Sequence, residues 1–198
     1  MLFAIMCLAL QIPLIATEYV ERPLLRGVVK FLASAMFLGQ AAVWGPSAWT
    51  WAALVLSAAG DMFLLSSEKS WFRAGLIAFL LAHVAYVVAF FDRGISWPIF
   101  GMCVPAMAIS AWAISRWLGD RPGKLLFAVR AYMTVISFMV ACAFASANGN
   151  WILPLAAVLF YASDLAVARQ RFIQPEPLNR LIGLPPYYLA QILFATYL

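Results

Sequence analysis

Apolar residues run through this chain in long unbroken stretches, separated by short clusters of Pro, Gly and charged residues. The stretches cover residues 1–17, 24–43, 48–66, 71–91, 96–117, 125–147, 151–168 and 183–198. They are continuous rather than alternating, which excludes the period-two pattern of a β-barrel and predicts helices. A helix that crosses a bilayer needs about 20 apolar residues. The pattern therefore predicts an all-α fold, a polytopic membrane bundle of eight transmembrane helices forming one domain over residues 1–198. The linkers, residues 18–23, 45–47, 66–70, 92–95, 119–124, 148–150 and 169–182, leave no room for a soluble domain. The first and last stretches are short, as tilted helices in a bundle can be. The opening Met-Leu-Phe-Ala-Ile-Met-Cys has no basic flank and is read as a first span rather than a cleaved signal.

Composition agrees and narrows the class. With 66% hydrophobic and 11% charged residues, no single soluble core could hide the apolar surface, and a disordered chain would be far more polar. The formal charge of +5 points to a membrane rather than to nucleic acid, because of where it lies. Linkers one, three, five and seven, with their flanks, carry Arg22, Arg26, Lys69, Arg73, Arg116, Arg121, Lys124, Arg169, Arg171 and Arg180, against Arg93 alone on the other side. That asymmetry places the odd-numbered linkers in the cytoplasm and both termini outside it. The membrane is read as the bacterial cytoplasmic one. Cys7, Cys103 and Cys142 stand in separate stretches without a CxxC spacing, so neither a disulfide framework nor a zinc site is indicated.

Ionisable groups within spans are costly and mark sites of function. There are five: Lys30, Asp61, His83, Arg130 and Asp164. Counted at about 1.5 Å per residue from the cytoplasmic helix ends, Lys30, Asp61, Arg130 and Asp164 lie roughly 7 to 10 Å deep. Tyr187, Tyr188 and Gln191 enter at similar depth, while His83 lies nearer the midplane with Tyr86 three residues on. This layer predicts a water-accessible pocket open to the cytoplasmic side. The plainer reading has Lys30 and Arg130 snorkelling to the interface, the aspartates neutralising them, and His83 packed in the core. A carboxylate, however, is too short to snorkel far. Leu-Val-Leu-Ser-Ala-Ala-Gly-Asp at 54–61 is echoed by Ala-Val-Leu-Phe-Tyr-Ala-Ser-Asp at 157–164, and Lys30 and Arg130 precede the two aspartates by 31 and 34 residues. The echo suggests a four-plus-four helix duplication with Asp61 and Asp164 facing each other.

Two carboxyl groups in one low-dielectric site do not both ionise comfortably, so one stays a proton donor while the other stays anionic. Such a pair suits reactions through an acid-generated cation, including peptide hydrolysis and enol-ether cleavage. A single histidine is too few for a zinc hydrolase, and neither a GxSxG elbow nor a phosphate-binding glycine loop occurs. No metal or cofactor is expected. The aspartate contexts Ala-Gly-Asp and Ala-Ser-Asp lack the GxGD pattern of intramembrane proteases. Intramembrane Asp/Lys pairs in a repeat also suit a small proton-coupled transporter or lipid-transfer protein. Turnover in detergent, where no gradient exists, separates that alternative from an enzyme.

Taken together, Gly60-Asp61, the stretch from Phe72-Arg73-Ala74-Gly75 to Ala82-His83-Val84-Ala85-Tyr86, Tyr161-Ala162-Ser163-Asp164 and the terminal Tyr187-Tyr188-Leu189-Ala190-Gln191 resemble the YhhN family of membrane proteins over nearly the whole chain. Arg22-Pro23-Leu24-Leu25 with Lys30 is similar to that family's second-span entrance. One departure is Arg169-Gln170-Arg171-Phe172, where an asparagine is expected before Arg-Phe. The resemblance implies a lysoplasmalogenase, which hydrolyses the vinyl-ether bond of a lysoplasmalogen to a fatty aldehyde and glycerophosphoethanolamine or glycerophosphocholine. On that reading Asp61 and Asp164 are the catalytic pair. Lys30, His83, Tyr86, Arg130, Tyr187, Tyr188 and Gln191 bind the substrate, its phosphate near Lys30, Arg130 or the cytoplasmic Arg22 and Arg26, and its glycerol hydroxyls or the water bonded by Tyr86, Tyr187, Tyr188 and Gln191. The partners are a lysophospholipid, water and the bilayer.

Overall fold

The computed structural model describes residues 2–19, 22–66 and 68–198. The expectations for Met1, for residues 20 and 21 of the first linker and for Ser67 of the third lie outside the described residues. Within them the chain is helical, with no strand. The helices are α1 (Leu2–Ala9), α2 (Gln11–Tyr19), α3 (Pro23–Trp44), α4 (Ala48–Phe63), α5 (Lys69–Arg93), α6 (Trp97–Leu118), α7 (Leu126–Ala145), α8 (Ile152–Phe172) and α9 (Pro177–Tyr197), with a 3₁₀ turn at Gly123–Leu125 ahead of α7. Local chemistry sets many boundaries. Pro23 and Pro177 stand at helix starts, where a missing N–H is harmless. The Ser47 hydroxyl accepts from the Thr50 amide at 3.2 Å and caps α4. Gly45 ends α3 at φ 62°, a left-handed conformation that a side chain would strain.

Two expected boundaries are corrected. The first span is two helices that part at Leu10, because Pro13 has no N–H for the Ala9 carbonyl. Bonds from Leu10 to Met6 and from Leu14 to Leu10 carry the chain across the break. The last helix starts at Pro177 and runs through Pro185 and Pro186, and α8 extends to Phe172, so the long seventh linker shrinks to residues 173–176. Polar residues there end the apolar stretch without ending the helix.

Five segments are long and apolar enough to cross a membrane: Pro23–Trp44, Lys69–Arg93, Trp97–Leu118, Gly123–Ala145 and Ile152–Phe172. By length and composition this is an integral membrane protein. Its outer surface agrees, since Leu24, Met102, Phe127 and Trp151 are each at least 70% exposed, as suits side chains bathed in lipid. The most extensive packing joins α4 to α5, α8 to α9 and α6 to α7, with α5 also against α7 and α3 against α9. Close approach of α4 and α5 depends on Gly60, where a β-carbon would meet the Phe79 ring at 2.7 Å. Phe160 is an aromatic hub, with ring centroids 4.5 Å from His83, 5.4 Å from Tyr187 and 6.1 Å from Phe79. It lies one turn before Asp164 on α8.

Candidate functional site

Helix α3 presents Arg26, Lys30 and Ser34 at four-residue intervals, hence along one face. Lys30 Nζ lies 3.0 Å from Asp61 Oδ1. The Ser34 hydroxyl donates to Asp61 Oδ2 at 2.8 Å, and the Tyr187 hydroxyl of α9 donates to the same oxygen at 2.8 Å. Asp61 is thus held between three helices and is 2% exposed, with Lys30 at 6%. A buried carboxylate persists when an ammonium and hydroxyl donors replace its water, and here all are supplied.

Asp164 has a different environment. The Tyr132 hydroxyl of α7 donates to its Oδ2 at 2.6 Å. The Nε2 of His83 lies 3.5 Å from the same oxygen, too far for a strong hydrogen bond. His83 is fully buried, edge-on to Tyr132 and tilted against Phe160. No lysine or arginine makes an ion pair with Asp164 among the described residues.

Both aspartates line a single cavity of about 380 Å³. Lys30, Phe79, Tyr132 and Tyr187 share its inner wall, and Arg26, Phe72, Gln170, Arg171, Asn179 and Arg180 its outer part. The outer residues come from the start of α3, the start of α5, the end of α8 and the start of α9, so the cavity opens at the basic end of the bundle. A polar knot stiffens this mouth. Gln170 Oε1 accepts from the Glu176 amide at 2.9 Å and from Asn179 Nδ2 at 2.8 Å, while Arg169 pairs with Glu176 at 3.1 Å and donates to Asn179. Gln170, at the position that departs from the expected asparagine, is therefore a link in the α8–α9 connection.

Of the residues singled out in the sequence, Asp61, Asp164, Lys30 and Tyr187 meet at the cavity. His83 lies behind Asp164 in the protein interior. Tyr86 and Gln191 are buried against each other, with the Tyr86 hydroxyl donating to Gln191 Oε1 at 2.7 Å. Tyr188 is buried and directs its hydroxyl at the Lys30 carbonyl, 3.5 Å away. None of these four is part of the cavity wall. Arg130 is not brought to the site: it is exposed on the outer face of α7 with Phe127 and Thr134. Two residues later, about 200° around the helix, Tyr132 takes the inward place. Tyr132, Ser34 and Arg180 join the cavity or its aspartates without being among the site residues expected from the sequence. The spacing held a signal for Tyr132, which precedes Asp164 by 32 residues, close to the 31 between Lys30 and Asp61. Among the described residues no three His, Cys, Asp or Glu side chains form a group that could hold a metal ion.

Comparison with known proteins gives concordant relatives. Human (Homo sapiens) lysoplasmalogenase TMEM86A is 30% identical over 150 residues, covering 72% of this chain and 61% of the relative. Bovine (Bos taurus) lysoplasmalogenase TMEM86A is 31% identical with the same coverage. Pig (Sus scrofa) lysoplasmalogenase TMEM86B is 31% identical over 156 residues, 76% of this chain and 63% of the relative. The chain thus spans about three-fifths of the length of these relatives. No solved structure matches it. The model of the YhhN family matches residues 25–198, from the first turn of α3 to the last residue. The chain belongs to the YhhN family.

Proposed function

We propose that this protein is a lysoplasmalogenase-type hydrolase that cleaves the vinyl-ether bond of a lysophospholipid within the membrane, with Asp164 as acid and Asp61 as its anionic partner. The observation that carries this reading is that the two carboxyl groups share one cavity yet have unlike partners, an ammonium for Asp61 and a phenol for Asp164. Relatives named lysoplasmalogenase supply the reaction class.

A vinyl ether is hydrolysed by protonation at its β-carbon. Asp164 gives that proton, and the C=C electron pair becomes the new C–H bond, leaving an oxocarbenium ion. Asp61, ion-paired with Lys30 and bonded to Ser34 and Tyr187, stabilises the cation and takes a proton from the attacking water as its oxygen bonds to the cationic carbon. The hemiacetal then releases the glycerol oxygen as an alcohol and leaves the aldehyde. Proton return from Asp61 to Asp164 through the cavity closes the cycle, with one vinyl ether and one water giving one aldehyde and one alcohol. Arg26 and Arg180, at the mouth, anchor the phosphate, and the apolar chain lies among side chains of the bundle.

The same reading includes eight spans, α1 and α2 together forming the first, and a four-plus-four duplication. Helix pairing supports the duplication: α3–α4, α4–α5 and α5–α7 correspond to α7–α8, α8–α9 and α9–α3. Neighbours of the aspartates follow the same rule, since Asp61 receives Lys30 from α3 and Tyr187 from α9, while Asp164 receives Tyr132 from α7 and has His83 of α5 at 3.5 Å. The basic mouth then faces the cytoplasm of a bacterial inner membrane, with both termini on the far side. In the test, Asp61→Asn and Asp164→Asn proteins, purified in detergent and still folded, are given a vinyl-ether lysolipid. Each releases less aldehyde by about three orders of magnitude or more, consistent with losing a group that acts in the transition state. Near-normal release by both variants overturns the pair.

A further inference from the structure

Behind Asp61 a line of buried polar groups leads into the bundle, away from the cavity mouth. Tyr187, besides its bond to Asp61, directs its hydroxyl at the Ser57 carbonyl, 3.3 Å away. Ser57 stands one turn from Asp61 on α4, and its own hydroxyl lies beside the Tyr86 phenol of α5. Tyr86 in turn donates to Gln191, one turn beyond Tyr187 on α9. Ser57, Tyr86 and Gln191 are each 0% exposed. One polar atom in this line, Gln191 Nε2, has no protein partner among the described residues, and Ser57 Oγ has none besides the Tyr86 phenol next to it.

Such atoms are rarely left bare in a protein interior; ordered water satisfies them. Their chemistry is complementary to water, since the amide nitrogen donates and the hydroxyl both donates and accepts. An apolar gap would have no use for them. The proposed reaction, meanwhile, consumes one water per turnover, and a lysolipid held with its phosphate at the mouth would stand in the way of water entering there.

We propose that Ser57, Tyr86 and Gln191 form an internal water site behind Asp61, and that, resting on the hydrolase reading above, this site supplies the attacking water. The water's lone pair forms the C–O bond, the π pair of the oxocarbenium ion moves to the ether oxygen, and the released proton goes to Asp61. Ser57, Tyr86 and Gln191 are positioning residues, since they hold the nucleophile rather than the lipid.

The experiment has two arms. In the first, the wild-type protein in detergent is exposed to brief radiolytic hydroxyl-radical labelling, which marks side chains next to bound water even when they are buried. Tyr86 is expected to label about tenfold faster than Phe90 after correction for intrinsic reactivity, although both are 0% exposed. Equal protection of the two overturns the water site, whatever the enzyme does. In the second, vinyl-ether lysolipid is turned over in dilute methanol. An oxocarbenium ion captured by methanol gives a mixed acetal that persists at neutral pH, so product identity reports which nucleophile reached it. Wild-type protein is expected to give aldehyde with little acetal, and Ser57→Ala and Gln191→Leu to raise the acetal share about fivefold or more, a change that a purely structural role would not produce. An unchanged share in both variants overturns the supply role. Absence of aldehyde from the wild type would instead refute the hydrolase reading and leave the labelling result standing.

Discussion

Replacing Lys30 with methionine keeps most of the apolar stem of the side chain and removes its ammonium group, with both the charge and the hydrogen-bond donors. The ammonium is 3.0 Å from Asp61 Oδ1, and the two residues are 6% and 2% exposed. At an effective dielectric of about 20 the lost attraction is about 5.5 kcal/mol before any compensation. The hydroxyls of Ser34 and Tyr187 remain on the other carboxylate oxygen and recover part of it. A net loss of about 3 to 4 kcal/mol follows, in keeping with removal of one partner from a buried pair. Adding Asp61→Asn removes the stranded charge, so the double variant should regain all but about 1 kcal/mol, while releasing no aldehyde. Unfolding in mixed micelles of rising dodecyl sulfate content, followed by tryptophan fluorescence, measures these differences. Lys124→Met, at an exposed lysine, is the control and should change stability by less than about 0.5 kcal/mol. If Lys30→Met unfolds like the control, or the double variant is no more stable than the single one, the ion pair is not what holds Asp61 in the core.

Three further outcomes are expected. Tyr132→Phe removes the hydrogen bond to Asp164 and should lower kcat about tenfold, or about 1.4 kcal/mol of barrier, with KM nearly unchanged, as steady-state aldehyde release would show. Arg180→Gln should raise KM for a lysophospholipid about tenfold or more while leaving KM for a headgroup-free vinyl-ether alcohol unchanged, since a charge-assisted phosphate contact contributes about 1.5 to 3 kcal/mol. Gly60→Val should destabilise by about 1 to 3 kcal/mol, because its side chain would enter the Phe79 ring, and Gly60→Ala should cost less. The same micelle titration measures both glycine variants.

Much of the candidate site is legible because depth along a membrane helix can be counted in residues. Asp61, Lys30, Asp164 and Tyr187 were each expected in one layer, and they line one cavity. Arg130 and Tyr132 show where counting stops. Both lie at suitable depth on α7, and only one faces inward. In a soluble helix the polar face would mark the outside, but lipid is as apolar as the core, so composition around α7 carries little information about its rotation. A charged residue in the span then looks like a site residue, even when its stem leads out towards the interface.

Helix limits divide the same way. Apolar stretches end where the bilayer ends, whereas backbone hydrogen bonding ends a helix, so α8 and α9 outrun their apolar stretches and the first span breaks at Pro13. By itself the sequence determined the solvent, the number and depth of the apolar stretches, the side on which positive charge gathers and which carboxyl groups are too short to escape the membrane. Those follow from transfer free energies summed along the chain. Only the tertiary structure decided that Lys30 goes to Asp61 and Tyr132 to Asp164, and that Tyr187 of α9 reaches Asp61 while His83 of α5 lies against Asp164. These depend on helix rotation and neighbour choice, which are fixed by close contacts such as Gly60 against Phe79 rather than by polarity.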